Sequence, residues 1–126
     1  MKKFIPVNKP VITKADAESV HSVLKSGWVS SEGPNIKKFE DKFSRFVNHK
    51  YAVAVSSGTA ALEIAIKSLN LKKRDEVIIP NFTIISNALA VIKLGLKIKP
   101  IDCDLKNWNM NFKKVENAIT FKTKAI

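Results

Sequence analysis

Tyr51-Ala52-Val53-Ala54-Val55-Ser56-Ser57-Gly58-Thr59-Ala60-Ala61-Leu62 is an apolar run that passes through small polar residues directly into a helical pattern. The first five residues read as a strand, 51–55, and the Ala-Ala-Leu that follows opens a helix over 59–69. Gly58 allows close backbone approach, and the first helical turn offers unpaired N–H groups at the positive end of a dipole. Ser56, Ser57 and Thr59 add hydroxyls. Such a junction suits a phosphate group. It equally suits an ordinary capped connection, because polar residues open most helices.

Downstream the pattern continues as strand 76–79, helix 83–94 closed by Gly95, strand 97–101 and a helix near 112–119. Strands and helices that alternate over short loops imply an α/β fold with a largely parallel sheet and helices on both faces, a three-layer αβα arrangement. Ligands in such sheets bind beyond the carboxyl ends of the strands. Both the Ser56–Thr59 turn and the Pro80-Asn81-Phe82-Thr83 turn fall there, so the two are expected to face one ligand.

Upstream, Thr13 caps a helix from Lys14 to Ser26, with Asp16 completing the cap and Gly27 as a left-handed stop. Ala17, Val20, Val23 and Leu24 give it an apolar face. Pro34 opens the next helix, on which Ile36, Phe39, Phe43 and Phe46 recur at helical spacing. That stripe is expected to be core. Two regions result: a helical arm and loop over 1–50, and the start of the sheet-bearing domain over 51–126.

The 126 residues carry a net charge of +11, which raises nucleic acid as a partner. Of the 22 basic residues only Arg45 and Arg74 are arginines, and the lysines are scattered without interleaved aromatics, so a solvated lysine surface is the better account. Such a field also favours an anionic small molecule. No apolar run is long enough for a signal peptide or a membrane span, which makes cytoplasm the expectation. Cys103 has no cysteine partner, and His21 and His49 lack acidic or cysteine partners at a ligand spacing, so no metal is expected. Asp102 and Asp104, after strand 97–101, stand near a ligand or satisfy turn backbone. There is neither GxGxxG nor GxxxxGK[ST], so a phosphate is held in another way.

Gly27-Trp28-Val29-Ser30, Gly33-Pro34 with Phe39-Glu40, Ser57 to Leu62, Asp75 to Pro80, Thr83, Gly95 with Pro100 and Asp102, and Lys122 to Ile126 together resemble, in order, the amino-terminal third of the DegT/DnrJ/EryC1/StrS sugar aminotransferases. The resemblance implies the large domain of a fold type I pyridoxal-phosphate transferase, here incomplete. It also implies a homodimer, with glutamate and a nucleotide-linked keto sugar as substrates. The product would be a 4-amino-4-deoxy hexose such as perosamine, for a surface polysaccharide. It assigns Ser57, Gly58, Thr59 and Ala60 to the cofactor phosphate, through the Thr59 and Ala60 N–H groups and the Thr59 hydroxyl, and Ile84 to the ring. Trp28, Ser30 and Ser31 fall on the segment that lines the sugar-nucleotide site.

Two positions depart from the family pattern. Ile84 stands where an aromatic residue usually stacks on the ring, and Arg74 where glycine is usual, a strained substitution if the turn needs a positive φ. The Schiff-base lysine and the aspartate that pairs with the pyridine nitrogen correspond to positions past Ile126, so no catalytic residue is assigned. The ending Lys122-Thr123-Lys124-Ala125-Ile126 reads as a strand cut short before it can pair, and the chain alone is expected to be inactive. A non-catalytic module that pairs with a separate remainder, or binds polyanions through its lysines, is the alternative.

Overall fold

The computed structural model describes residues 4–126, which form two compact units meeting in sequence between Ala54 and Val55.

The first unit holds α1 (Lys14–Ser26) and α2 (Pro34–Phe46). The Thr13 hydroxyl accepts from the Asp16 N–H, the Asp16 carboxylate accepts from the Thr13 N–H at 2.8 Å, and Gly27 ends the helix at φ +73°. This reciprocal cap satisfies two donors that a helix start would otherwise leave to water. The apolar stripe of α2 departs from expectation: Phe39, Phe43 and Phe46 are 54%, 47% and 86% exposed, so it is not core here. Phe39 and Phe43 stack on each other, with ring centroids 5.7 Å apart, which shields only part of each ring. Val20 and Leu24 of α1 are likewise exposed.

Tyr51–Val55 has no regular secondary structure and forms no ladder with any strand among the described residues, which corrects the expected strand. A parallel strand exists only through a neighbour. The tie this segment does make is from the Ala54 N–H to Glu40 Oε1 of α2, at 2.8 Å.

The second unit runs α3 (Gly58–Ser68), β1 (Glu76–Pro80), α4 (Ser86–Lys93), β2 (Lys97–Ile101), α5 (Phe112–Ala118) and β3 (Thr123–Ala125). The sheet is parallel, in the order β2-β1-β3. β1 is central, and its successive side chains point to opposite faces as the period of two requires. Val77 packs with Val91, Leu96 and Ile66, on the face covered by α3 and α4; Ile78 packs with Ile101 and Val115, on the face covered by α5. Helices therefore cover both faces, the arrangement a parallel sheet needs to bury its strands. β3 corrects the reading of the chain's end: it does pair, Glu76 opposite Thr123 and Val77 opposite Ala125, with the Glu76 N–H donating to the Lys122 carbonyl at 2.8 Å.

The turn into β1 carries a non-glycine residue in the left-handed region. Arg74 has φ +75°, and its N–H donates to the carbonyl of Gly95, itself at φ +71°. No helix among the described residues is long and apolar enough to cross a membrane.

Candidate functional site

The start of α3 is shaped by Ser57, whose extended backbone (φ −164°, ψ 163°) precedes Gly58 and whose Oγ accepts from the Ala60 N–H at 3.2 Å. That bond occupies one of the donors expected to face a phosphate. The Ala61 N–H begins the helical ladder by donating to the Ser57 carbonyl. Gly58 and Thr59 are left as the first-turn residues whose N–H groups have no acceptor among the described residues. A Cβ placed on Gly58 would meet nothing within 4 Å, so the space before this turn is open.

Thr59 supplies the hydroxyl. Its Oγ1 lies 3.0 Å from the Oγ of Ser86, the first residue of α4, so the starts of the two helices are joined side chain to side chain. Ile85, at the N-cap of α4, offers no side-chain cap. A cavity of about 570 Å³ opens against Gly58, Thr59, Leu62, Ile84, Ser86 and Asn87. The structure thus brings three of the expected residues, Gly58, Thr59 and Ile84, around one space. Ser57 and Ala60 do not line that space; they are tied to each other by the helix cap, in which the Ala60 N–H donates to Ser57 Oγ. Ser86 and Asn87 escaped sequence reasoning; the signal was a polar pair at the head of an otherwise apolar helix.

The second turn behaves differently from expectation. Thr83 Oγ1 accepts from Asn87 Nδ2 at 2.7 Å, Asn81 Nδ2 donates to Asp102 at 3.3 Å, and Phe82 packs on Trp108 with centroids 5.2 Å apart. These contacts knit the turn to its own helix and to the loop after β2. Asp102 is held below the usual carboxylate range by the hydrogen bond and charge of Lys114, at 3.0 Å, and then by Asn81. Asp104 Oδ1 accepts from the Lys106 N–H at 2.8 Å, a turn-closing role. Cys103 is free, and both histidines are exposed.

Trp28, Ser30 and Ser31 lie in the first unit, in the loop between its helices. The Trp28 N–H donates to Ser26 Oγ, Ser30 Oγ accepts from the Glu32 N–H, and the indole is about half exposed, leaving it available for contact.

The residues present fit a phosphorylated cofactor of the pyridoxal type: two free backbone donors, a hydroxyl, an open glycine and an aliphatic wall formed by Leu62 and Ile84. Comparison with known proteins points the same way. The chain is 41% identical over 124 residues to GDP-perosamine synthase of Escherichia coli O157:H7, covering 98% of this chain and 34% of that protein. Against the spore coat polysaccharide biosynthesis protein SpsC of Bacillus subtilis it is 40% identical, covering 98% of this chain and 31% of the relative. Among solved structures, E. coli GDP-4-keto-6-deoxy-D-mannose-3-dehydratase with bound hydrated PLP superposes with a TM-score of 0.87 at 31% identity, covering 96% of this chain and 32% of that one. The chain spans about a third of the length of these proteins. Residues 10–126 match the model of the DegT/DnrJ/EryC1/StrS aminotransferase family, and the chain belongs to that family.

Proposed function

We propose that this chain is the amino-terminal part of a cytoplasmic, homodimeric, pyridoxal-phosphate-dependent aminotransferase that moves an amino group from glutamate to a nucleotide-linked keto sugar. The observation that carries the reading is the 41% identity to GDP-perosamine synthase over almost the whole chain. The dehydratase of matching fold stands at 31%, which favours amination over dehydration as the chemistry of the complete protein. GDP-4-keto-6-deoxymannose is accordingly the substrate to test first.

In this reading the N–H groups of Gly58 and Thr59 and the Thr59 hydroxyl hold the cofactor's phosphate. Ser57 fixes the turn, Ala60 continues the helix behind it, and Ile84 packs on the ring by aliphatic contact. Trp28, Ser30 and Ser31 line the sugar-nucleotide site. When bound, pyridoxal phosphate supplies the electron sink that lets an amino group pass between carbon frameworks. The chain's own part is to bind and orient it, since none of its lysines matches the family's covalent one.

A chimera tests the assignment. Residues 1–126 replace the matching third of the E. coli synthase. The expected result is amino transfer from glutamate to GDP-4-keto-6-deoxymannose by the chimera and none by the 126-residue chain alone. A chimera that folds and retains the cofactor yet leaves the keto sugar unaminated would defeat the reading, as would transfer by the chain alone.

A further inference from the structure

We propose that Ser86 is a positioning residue for the phosphate site: its hydroxyl holds the Thr59 hydroxyl so that the Thr59 proton is presented to a bound phosphate. The inference rests on the reading of Gly58-Thr59 as a phosphate cup. It starts from the 3.0 Å contact between Thr59 Oγ1 and Ser86 Oγ, which spans 27 residues of sequence.

A hydroxyl has one proton and two acceptor sites. At 3.0 Å either of the two hydroxyls can donate to the other. Once an anion lies before Gly58, the Thr59 proton is better used on the anion, because a hydrogen bond to a charged oxygen is about twice as strong as a neutral one. The favoured arrangement then has Ser86 donating to Thr59 Oγ1 and Thr59 donating to the phosphate oxygen. Each bond in such a chain polarises the next.

Ser86 is free for this task. Helix α4 is not capped by a side chain, Asn87 is engaged with Thr83, and Ser86 is half-buried on the wall of the cavity that holds Gly58 and Thr59. The competing account makes the contact a structural tie between α3 and α4, beside the Lys93–Glu63 ion pair at 2.5 Å.

The two accounts differ in what Ser86→Ala changes. Pyridoxamine 5′-phosphate and pyridoxamine are suitable probes, because neither carries an aldehyde that would react with the lysines. Each is titrated into the full chain at physiological salt, and thermal stability is followed in parallel. The expected result is a three- to tenfold weaker affinity for the phosphorylated probe, on the order of one neutral hydrogen bond. Pyridoxamine binding should be unchanged, Ser86→Thr should restore the affinity, and Ser86→Ala should have no further effect in a Thr59→Ala background. Equal loss for both probes, or full additivity with Thr59→Ala, would overturn the proposal. If Ser86→Ala does not fold, the volume-matched pair Ser86→Thr and Ser86→Val decides: retention by threonine and loss by valine supports it, equal binding refutes it. A parent chain that binds the two probes equally would instead overturn the phosphate cup itself.

Discussion

Arg74 is the position at which the structure makes a stability prediction of definite sign. An L-residue other than glycine at φ +75° places its Cβ against the following carbonyl, which costs about 1–2 kcal/mol. Arg74→Gly removes that cost and adds about 0.5–1 kcal/mol of chain entropy to the unfolded state. The N–H that donates to the Gly95 carbonyl at 3.3 Å survives the change. Arg74 enters none of the ion pairs among the described residues, so no charge contact is lost. The net expectation is a gain of roughly 0.5–1 kcal/mol, equivalent to about 2–5 °C in Tm for a domain of this size. Arg74→Ala is the control, because alanine keeps the Cβ and therefore the strain. The measurement is urea unfolding at constant m-value, paired with a thermal scan. A glycine variant no more stable than the parent, or an alanine variant as stable as the glycine one, would refute the strain argument.

Three further outcomes follow from the same geometry. Ile84→Tyr places an aromatic face where Ile84 walls the cavity and should tighten pyridoxamine 5′-phosphate binding about three- to tenfold; unchanged affinity in a titration would remove Ile84 from the ring contact. Asp16 is held below the usual carboxylate range by the Thr13 hydroxyl and then by the Thr13 N–H, so its contribution to α1 is complete above the ordinary value and disappears as pH falls through the lower, folded one. Thr13→Ala should raise the Asp16 midpoint in a carboxyl NMR titration, and an unmoved midpoint would contradict the cap as its cause. With lysines scattered over the surface, binding to duplex DNA should be weak at physiological salt; tight binding with a steep dependence of log K on log salt would favour the polyanion-binding alternative.

What the sequence made legible was local. The Thr13–Asp16 cap, the Pro34 start and the left-handed glycines at positions 27 and 95 depend on residues adjacent in the chain, and each stands in the structure where the pattern put it. Arg74 belongs with them, because a turn's demand for positive φ is also local. Burial was harder to read. The Ile36, Phe39, Phe43 and Phe46 period correctly marks a helix and one apolar face, but periodicity says only that a face suits an apolar surface, not that this chain supplies one. Tyr51–Val55 fails for a related reason: β propensity describes a segment, whereas a strand is a property of a pair. β3 errs in the opposite direction, since three residues suffice for a ladder when a central strand such as β1 offers a free edge.

At the site the same distinction separates Gly58 and Thr59 from Ser86. The turn before α3 is made of consecutive residues, so its glycine and the Thr59 donor could be read directly, whereas the Ala60 N–H expected beside it is taken by Ser57 Oγ and the Gly58 N–H is open in its place. The general rule for parallel sheets correctly brought the segment after β1 toward it. The rule failed on the residue. With a helix beginning at position 83, Thr83 would stand at the head of α4; the helix instead begins at Ser86, and Thr83 is taken by Asn87 one turn on. The three-residue delay hands the contact with Thr59 to Ser86. Helix starts are the least legible part of a sequence when no side chain caps them, and Ile85 at the N-cap of α4 gives no such signal. The weakly marked helix start and the contact that carries the further inference are therefore one feature, and Ser86→Thr against Ser86→Val tests both its placement and its chemistry.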